Sequence, residues 1–384
     1  MRMDIRRFIT LQIITSLVFG ATVYADPRKE KRSTLPPDVA AQTQKAIDRG
    51  LAFLKSKQNR DGEWTAMYGP AVTAMVARAF SQDKRHGPKH PIVQRAVTNI
   101  LRYEQPDGGI YERRQNLANY QTSIVLMLLG SLDDPAHKAH IAKAQAFLTN
   151  LQYDGAESID DDHAWFGGAG YSKTKRPDLS NTQMMVEALH NSGLSKDDPV
   201  YQRALTFISR CQLNDATNDL PFAKGRTEGG FIYSPNAGGE SKASEKLEEG
   251  FAPLRCYGSM TYAGFKSMLY ANVARDDERI KACLGWIRRH YTLEVNPNMP
   301  GRQSKEGLYY YYHVFAKALQ AWGKPVINDD KGKPHHWRLE LCRKLISLQQ
   351  EDGSWVNDQP RWLEGDANYV TGLTILTLQT ALTD

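Results

Sequence analysis

The chain has 384 residues, of which 41% are apolar and 24% are charged, and its formal net charge is +6. This composition is ordinary for a globular protein with a large core, and it excludes a disordered or collagen-like chain. The basic residues are scattered along the sequence rather than clustered. We therefore expect no nucleic-acid partner.

The first 25 residues have the pattern of a signal peptide. Three arginines precede an apolar run over residues 8–21, and Val23-Tyr24-Ala25 resembles a small-residue cleavage site. We predict cleavage before Asp26 and an exported protein, either periplasmic or secreted. An uncleaved membrane anchor is the alternative, but the run is shorter than the ~20 residues that a spanning helix needs. No integral membrane span is expected after cleavage.

Residues 26–37 are rich in charge and contain three prolines. They predict a flexible tether, followed by a single domain over residues 38–384. Export would permit disulfides, and the chain has four cysteines. These cysteines lie in apolar helical patterns at long, irregular spacings, which favours buried free thiols over a disulfide framework.

One short motif recurs along the chain. Gln58, Gln105 and Gln152 are separated by 47 residues each and open the segments QNRDGEW, QPDGGIY and QYDGAES. A looser copy begins at Gln212, and the last copy, QQEDGSW, begins at Gln349 or, in the register of QYDG, one residue later. A fixed period with the same turn residues indicates internal duplication.

Each copy of the motif separates two helical patterns. The stretch before it is amphipathic, and the stretch after it is more apolar. The more apolar stretches are residues 71–80, 122–129, 182–189, 261–271, 314–322 and 371–378. Because an apolar helix packs on several sides, we place these six inside and their amphipathic partners outside. The expected fold is all-α, an (α/α)6 toroid of six helical hairpins; an open superhelical solenoid is the alternative.

QNRDGEW and QQEDGSW resemble the QW repeats of the terpenoid cyclase and protein prenyltransferase superfamily, which includes squalene-hopene cyclases. The paired-helix periodicity covers nearly all of the chain after residue 37. The resemblance implies the α/α toroid with QW-type turns. It does not imply one reaction, because toroids of this kind serve proteins with different chemistry.

The third apolar stretch resembles the segment of squalene-hopene cyclases that carries a DxDDT motif, whose middle carboxylate protonates the terminal alkene. Here the matching residues are Asp178, Leu179, Ser180, Asn181 and Thr182. The acid position is therefore Ser180, and neither a hydroxyl nor an amide can supply a proton of the required acidity. The resemblance implies the cyclase fold without its usual acid. Asp178 remains a candidate catalytic residue, with a helix cap as its structural alternative.

The comparison with protein prenyltransferases predicts no metal site. Those β subunits hold zinc with an Asp, a Cys two residues later and a distant His, whereas this chain has Leu254, Cys256 and Tyr369 at the matching positions. Cys256 and His313 stay as candidate catalytic residues. The acidic run of residues 160–162 predicts a solvated loop or a weak cation site. We expect no metal and no cofactor.

A closed ring would bring the N-terminal turns of its inner helices to one mouth. These turns are rich in hydrogen-bonding and aromatic side chains rather than in carboxylates. The predicted ligand-binding residues are Tyr120, Gln121, Asn181, Gln183, Tyr262, Tyr312, His313 and Tyr369. Aromatic faces suit cationic or isoprenoid groups, and they also stack on sugars.

The leading functional hypothesis is an exported toroid that binds an extended or apolar, isoprenoid-like ligand without the usual cyclase acid. It leaves open whether the protein is an enzyme and which oligomer it forms. Two alternatives are a secreted carbohydrate-active enzyme, which would need paired carboxylates, and a non-catalytic protein-binding module. For a carbohydrate enzyme, the inner turns offer only Asp178 and Asp366.

Overall fold

Outer and inner helices alternate along the chain in the computed structural model, which describes residues 35–244 and 254–383. Those ranges contain twelve α-helices in six pairs. The outer helices are Pro37–Lys57 (α1), Pro91–Ile100 (α3), Lys138–Asn150 (α5), Pro199–Arg210 (α7), Glu278–Arg289 (α9) and Trp337–Ser347 (α11). The inner helices are Pro70–Ser81 (α2), Ala118–Ser131 (α4), Leu179–Asn191 (α6), Gly258–Tyr270 (α8), Leu308–Trp322 (α10) and Ala367–Leu382 (α12).

Burial separates the two sets of helices as their apolar patterns predict. In α1, seven of 21 residues are buried, and they recur at helical spacing along one stripe. In α2, eleven of 12 residues are buried, because neighbouring helices cover it on all sides. A side-chain cap begins α7: Asp198 accepts a hydrogen bond from the Val200 amide, with Pro199 at the first helical position.

The inner helices form a closed ring. Each packs against the next in the order α2, α4, α6, α8, α10 and α12, and α12 packs against α2. The outer layer also closes, since α1 packs against α11 and Arg49 Nη2 donates to the carbonyls of Gln350 and Glu351, at 2.9 Å each. This closure excludes the open solenoid and confirms the all-α toroid. A two-residue hairpin, Ile327–Asn328 (β1) with Pro334–His335 (β2), joins α10 to α11.

In four of its five copies, the repeated glutamine ties one outer helix to the next; the exception is Gln105, whose Nε2 donates to the Tyr103 and Tyr111 carbonyls near its own turn. Gln58 Nε2 donates to the carbonyls of Gly62 in its own turn, at 3.0 Å, and of Ile92 in α3, at 2.9 Å. Equivalent pairs of bonds run from Gln152 to Gly167 and Val200, from Gln212 to Gly229 and Arg279, and from Gln349 to Gly353 and Ala46. The last copy therefore begins at Gln349, and its bond to α1 helps to close the ring.

The tryptophan and glycine of the motif complete the joint. Trp64 is fully buried, and its Nε1 donates to the Leu54 carbonyl at 2.7 Å, which satisfies a group at the end of α1. Gly62 has a φ of +89°, and a Cβ there would lie 2.8 Å from the Arg95 backbone. Only glycine suits both constraints. The motif residues are thus parts of the scaffold.

In the third copy of the motif, an insertion moves the glycine of the joint. Gly155 of QYDG begins a short 3₁₀ helix, and a Cβ there would meet open space. Gly167 makes the close approach instead, with a φ of +79° and the Arg203 carbonyl 1.7 Å from a built Cβ. In this repeat, the glycine of the sequence motif is therefore not the glycine that forms the joint in the structure.

The predicted signal peptide and residues 26–34 of the predicted tether lie outside the described residues, and α1 begins at Pro37. Among the helices that the structure describes, none is both long and apolar enough to cross a bilayer. The four cysteines are buried and unpaired with one another, as the apolar patterns around them predict.

Candidate functional site

The N-terminal ends of the inner helices surround a cavity of about 660 Å³ at one mouth of the ring. This volume falls within the range of small-molecule sites. Its wall combines apolar side chains with a set of aromatic ones. The aromatic lining residues are Tyr68, Tyr120, Tyr171, Tyr233, Tyr257, Tyr310, Trp362 and Tyr369. Of the described lining residues, only Asp366 carries a carboxylate and only Lys242 a positive charge.

Two of the residues predicted to bind a ligand, Tyr120 and Tyr369, lie on the cavity wall. They come from α4 and α12, which α2 separates, and their hydroxyl oxygens are 3.4 Å apart. Burial raises the pKa of Tyr120 to about 12, so this hydroxyl stays neutral. The two rings form part of the inner end of the cavity.

The predicted amide residues Gln121 and Asn181 lie behind the wall, where they hold the chain in place. Gln121 Nε2 donates to the Tyr68 carbonyl at 3.1 Å, and its Oε1 accepts from the Glu112 amide at 2.7 Å. Asn181 is 1% exposed and does not line the cavity. Gln121 holds the Tyr68 carbonyl and Asn181 holds the Asp178 carboxylate, so both amides support the wall and do not line the cavity.

Tyr262 and Tyr312 also point away from the cavity. The Tyr262 ring packs against Tyr311, with ring centroids 5.6 Å apart. Tyr312 donates its hydroxyl proton to the Leu293 carbonyl at 2.7 Å. These two tyrosines join α8 and α10 to the core between the helix layers.

Asp178 caps α6 and is itself buried, with 3% of its surface exposed. Its carboxylate accepts from the amide and the side-chain Nδ2 of Asn181, at 2.8 Å each. Burial raises the Asp178 pKa to about 6. The hydrogen bonds from Asn181 and a smaller contribution from Tyr233 lower the pKa, but they do not outweigh burial. Tyr233 lines the cavity, so Asp178 stands one side chain behind the wall.

The buried Asp178 carboxyl predicts a pH-dependent stability. Because its folded pKa of about 6 exceeds the ordinary Asp value of 3.8, the folded state binds more protons between these values, and stability falls as pH rises through them. In urea unfolding from pH 4 to 7, Asp178→Asn should gain up to about 3 kcal/mol relative to the wild type, at about 1.4 kcal/mol per pKa unit. A constant difference would contradict the prediction. Asp198→Asn is the matched cap control, since Asp198 also caps a helix and is partly exposed.

Ser180 lies on the cavity wall, at the position that the DxDDT resemblance assigns to the catalytic acid. Its hydroxyl is 3.5 Å from the Tyr310 hydroxyl, which also lines the cavity. Thr182, which matches the Thr of DxDDT, has a structural role: its Oγ1 accepts from the Ala169 amide at 3.0 Å and donates to the Asp178 carbonyl at 2.8 Å. A neutral hydroxyl therefore faces the cavity where the resemblance places an acid.

A layer of buried charge crosses the ring below the cavity. Glu187 accepts a hydrogen bond from Lys266, and its other carboxylate oxygen lies 3.6 Å from Lys317. Burial would raise the Glu187 pKa, but the Coulomb attraction of the two lysines outweighs it and lowers the pKa below its ordinary range. Desolvation lowers the Lys317 pKa to about 8, and the attraction of Glu187, which raises this pKa, offsets only part of the shift.

The predicted residues Gln183 and His313 border this layer. Gln183 Oε1 accepts from Lys266 Nζ at 2.5 Å, and its Nε2 donates to the Tyr310 hydroxyl at 3.1 Å. His313 Nδ1 is 3.1 Å from Thr377 Oγ1, and burial lowers the His313 pKa to about 3. His313 is therefore neutral at physiological pH. It lies beneath the main cavity and not on its wall.

The rim of the cavity exposes two large apolar side chains, Met67 at 73% and Trp362 at 42%. Trp362 has a φ of +55°, an unfavourable conformation for a residue with a bulky side chain. Glu364 anchors this segment by accepting from the Tyr310 amide at 2.7 Å, and burial raises the Glu364 pKa to about 7. Strain of this kind is common where a side chain serves a site.

The remaining candidates lie outside the cavity. Cys256 is buried, and desolvation raises its pKa to about 12, which suppresses the thiolate. In the acidic run, residues 160–162 are exposed, and the Asp161 carbonyl accepts from Arg210 Nη2 at 2.6 Å. Among the described residues, no group of three His, Cys, Asp or Glu side chains is placed to hold a metal.

Sequence reasoning missed the tyrosines that loops bring to the wall and the buried charged layer. Tyr171 and Tyr233 lie in irregular loops, whose paths no periodic pattern reveals. The charged layer did leave a signal, because four of the six otherwise apolar inner helices contain a charge, in segments such as AMVARAF, MMVEALH and FAKAL. A charge inside a helix that is buried on all sides needs a partner across the ring.

The closed ring and its aromatic cavity define the class of this protein, an α/α toroid with the terpenoid-cyclase-like fold. A structure of the type II terpene cyclase MstE from Scytonema with merosterolic acid A matches at a TM-score of 0.56 and 13% identity, over 91% of this chain and 99% of that one. An α-amylase from Clostridium perfringens matches at 0.54 and 10% identity, over 90% and 99% of the two chains. A polysaccharide lyase matches at 0.56 and 10% identity, over 89% and 97%.

These similarities concern the fold alone, since the sequence identities are low. No model of a protein family matches the sequence, and neither does any curated protein. A shared fold does not determine function, which depends on the residues of the cavity.

Proposed function

We propose that this protein binds an extended, apolar, isoprenoid-like ligand in its central cavity and does not carry out acid-initiated cyclisation. The observation that carries the proposal is Ser180, a hydroxyl on the aromatic wall where the cyclase resemblance expects a strong acid. Tyrosine and tryptophan faces offer apolar contact area and attract electron-poor groups. Protonation of an alkene needs an acid that a serine hydroxyl cannot be.

The other carboxyl groups near the cavity do not replace that acid. Asp178 is buried behind Tyr233, and both of its oxygens already accept hydrogen bonds from Asn181. Asp366 reaches the wall but caps α12, accepting from the Tyr369 amide at 2.8 Å and from Thr65 Oγ1 at 3.2 Å. Both groups have structural partners, which supports a binding role over cyclase chemistry.

The apolar ligand is also supported by similarity of fold. A further MstE structure matches at a TM-score of 0.55 and 13% identity and contains geranylgeranyl dihydroxybenzoate as substrate. A toroid of this kind can therefore hold an isoprenoid chain. The choice of ligand class for this protein rests on its own cavity residues and not on that similarity.

Filling part of the cavity should weaken ligand binding. Ser180 is partly exposed to the cavity, so Ser180→Phe should fill space at the wall and weaken binding of a neutral isoprenoid such as squalene by about tenfold or more. Fluorescence of the rim Trp362 or native mass spectrometry can report binding. Ser347→Phe, the same change at an exposed position of α11, is the control and should bind as the wild type does.

A cyclisation assay gives the complementary test. Incubation with squalene or a polyprenyl substrate should yield bound but unchanged ligand. Robust turnover that is lost in Asp178→Asn would overturn the claim that the usual chemistry is absent. Failure of the wild type to bind any isoprenoid, neutral or acidic, would overturn the binding proposal itself.

The two alternative functions have less support. A glycosidase or lyase of the paired-carboxylate type needs two acids facing one cleft, whereas Asp366 is the only carboxylate on the described wall and Asp178 is buried behind it. A purely protein-binding ring would have no use for an aromatic cavity of about 660 Å³ at its mouth. The amylase and lyase similarities concern the shared toroid.

We also infer that the protein is exported through its N-terminal segment. The basic residues, the apolar run and the site after Ala25 support this inference. The mass of the protein recovered from outside the host cytoplasm tests it. A mature chain that begins at Asp26 is expected, and an intact N-terminus would contradict export by cleavage.

A further inference from the structure

The buried layer below the cavity contains more positive than negative charge. Arg78 on α2, Lys266 on α8 and Lys317 on α10 surround Glu187 on α6. His313, beside them, is neutral. Among the described residues of this layer, three cations therefore face one carboxylate. Buried charge that is not compensated is costly, so an excess of cations calls for an explanation.

Arg78 is the cation without a carboxylate of its own. Glu187 accepts a hydrogen bond from Lys266 and lies 3.6 Å from Lys317, so the two lysines share it. Within the described part of the chain, the hydrogen bond that Arg78 donates goes to Met127 Sδ at 3.5 Å, and its buried Nε has no partner. A thioether is a weak acceptor. An arginine whose Nε has no partner can bind an anion in a bidentate manner, through two of the anion's oxygens.

This arginine lines a small lower chamber that adjoins the main cavity. The chamber offers about 30 Å³ to the centres of bound atoms, and Arg78, Glu187 and His313 are among its lining residues. Tyr120, Tyr310 and Tyr369 line both spaces and separate them. The Tyr120 and Tyr369 hydroxyls are 3.4 Å apart, a long hydrogen bond whose loss costs little. A ligand in the main cavity can therefore reach the chamber by parting two side chains.

We propose that the lower chamber binds the carboxylate end of the extended apolar ligand, with Arg78 as its ion partner and the chain lying in the main cavity. This inference rests on the proposed function and specifies its ligand as an isoprenoid or similar acid. A planar carboxylate matches the guanidinium edge in two parallel hydrogen bonds. A space that holds about two water molecules suits a carboxylate better than a tetrahedral phosphate.

A structural explanation of Arg78 makes a different prediction. Arg78 lies in the last turn of α2, where the carbonyl end of a helix favours positive charge. If that were its whole role, its replacement would change stability and leave ligand preference untouched. The carboxylate subsite predicts a change in preference, which a purely structural role would not produce.

The test compares farnesoic acid with its methyl ester, which share one chain and differ in charge. The wild type should bind the acid about tenfold to a hundredfold more tightly, the usual range for a charge-assisted hydrogen bond. Arg78→Gln should bind the ester as the wild type does and lose the preference for the acid. Arg85→Gln replaces a 53%-exposed arginine just after the same helix and should keep the preference.

A second measurement does not depend on the folding of the Arg78 variant. The labelled methyl group of Met127, assigned with Met127→Leu, reports on the chamber because Met127 Sδ contacts Arg78. Its NMR signal should shift with the acid and much less with the ester. Equal binding and equal shifts for acid and ester would overturn this inference and leave the proposed function intact.

Two further outcomes separate the remaining explanations. Failure of both the acid and the ester to bind would overturn the proposed function and this inference together. If acetate alone saturated the Met127 shift and farnesoic acid did not displace the bound acetate, the chamber would be a site for free small carboxylates. That result would overturn the assignment of the chamber to the end of a longer ligand.

Discussion

The Glu187→Gln variant is expected to lose about 3–5 kcal/mol of unfolding free energy, because removing one partner of a buried ion pair leaves the other charges uncompensated. Glu187 is 2% exposed at its side chain, and Lys266 is fully buried. Lys317 is 12% exposed and Arg78 lies nearby, so three cations would remain in the layer without a carboxylate. Urea unfolding near neutral pH measures this loss directly.

The exposed pair of Glu294 and Lys344 provides the matched control. Glu294 is 75% exposed and lies 2.5 Å from Lys344. Glu294→Gln makes the same chemical change in solvent and should cost no more than about 0.5–1 kcal/mol. If both variants lost equal stability, the layer would not depend on Glu187. A double variant, Glu187→Leu with Lys266→Met, should recover part of the loss because it removes both members of the buried pair.

The Trp355→Ala variant should cost a similar amount, about 3–5 kcal/mol, because it opens a cavity at the joint that closes the ring. Trp355 is fully buried, and its Nε1 donates to the Leu345 carbonyl at 2.8 Å. Its ring packs against α1 of the first hairpin, where a Cβ on Gly50 would lie 2.8 Å from the Trp355 ring. The residue thus joins the last repeat to the first, and thermal or urea unfolding measures its contribution.

The contact between Gly50 and Trp355 allows a sharper test by a double-mutant cycle. In the wild type, Gly50→Ala should destabilise the protein by about 1–3 kcal/mol through overpacking. In the Trp355→Ala background the same change should cost at least about 1 kcal/mol less, because the ring is gone. Gly285→Ala in α9 is the control: its Cβ would meet only the flexible end of Arg289 at 3.4 Å. That change should stabilise by about 0.5–1 kcal/mol, and additive effects at Gly50 and Trp355 would refute the contact.

Much of the fold was predictable because its information is local and repeated. The period of 47 residues between Gln58, Gln105 and Gln152 and the alternation of amphipathic and apolar stretches predict six hairpins. The structure confirms them and the inner position of the apolar helices. The insertion after Gln152, which transfers the joint from Gly155 to Gly167, was not predictable, because a turn's register depends on the neighbouring helix that the glycine approaches.

The candidate site was predictable only where it lies on regular elements. Tyr120 and Tyr369 occupy the first turns of inner helices, and the closed ring places both on the wall. Gln121 follows Tyr120 and Asn181 follows the lining residue Ser180, but both amides point behind the wall and hold neighbouring parts of the chain. One residue along a helix changes the direction of a side chain by about 100°. The polarity of a turn therefore does not determine which member faces the cavity.

The sequence by itself determined the helix pairs, their inner and outer order and the absence of an acid at Ser180, because these depend on residue identity and local period. Only the tertiary structure decided which tyrosines share one cavity, and that Arg78 lacks a carboxylate while Lys266 and Lys317 share Glu187. Those relations join residues from different repeats, often more than a hundred positions apart in the sequence. Their energies depend on burial and on distances across the ring, which no local pattern encodes.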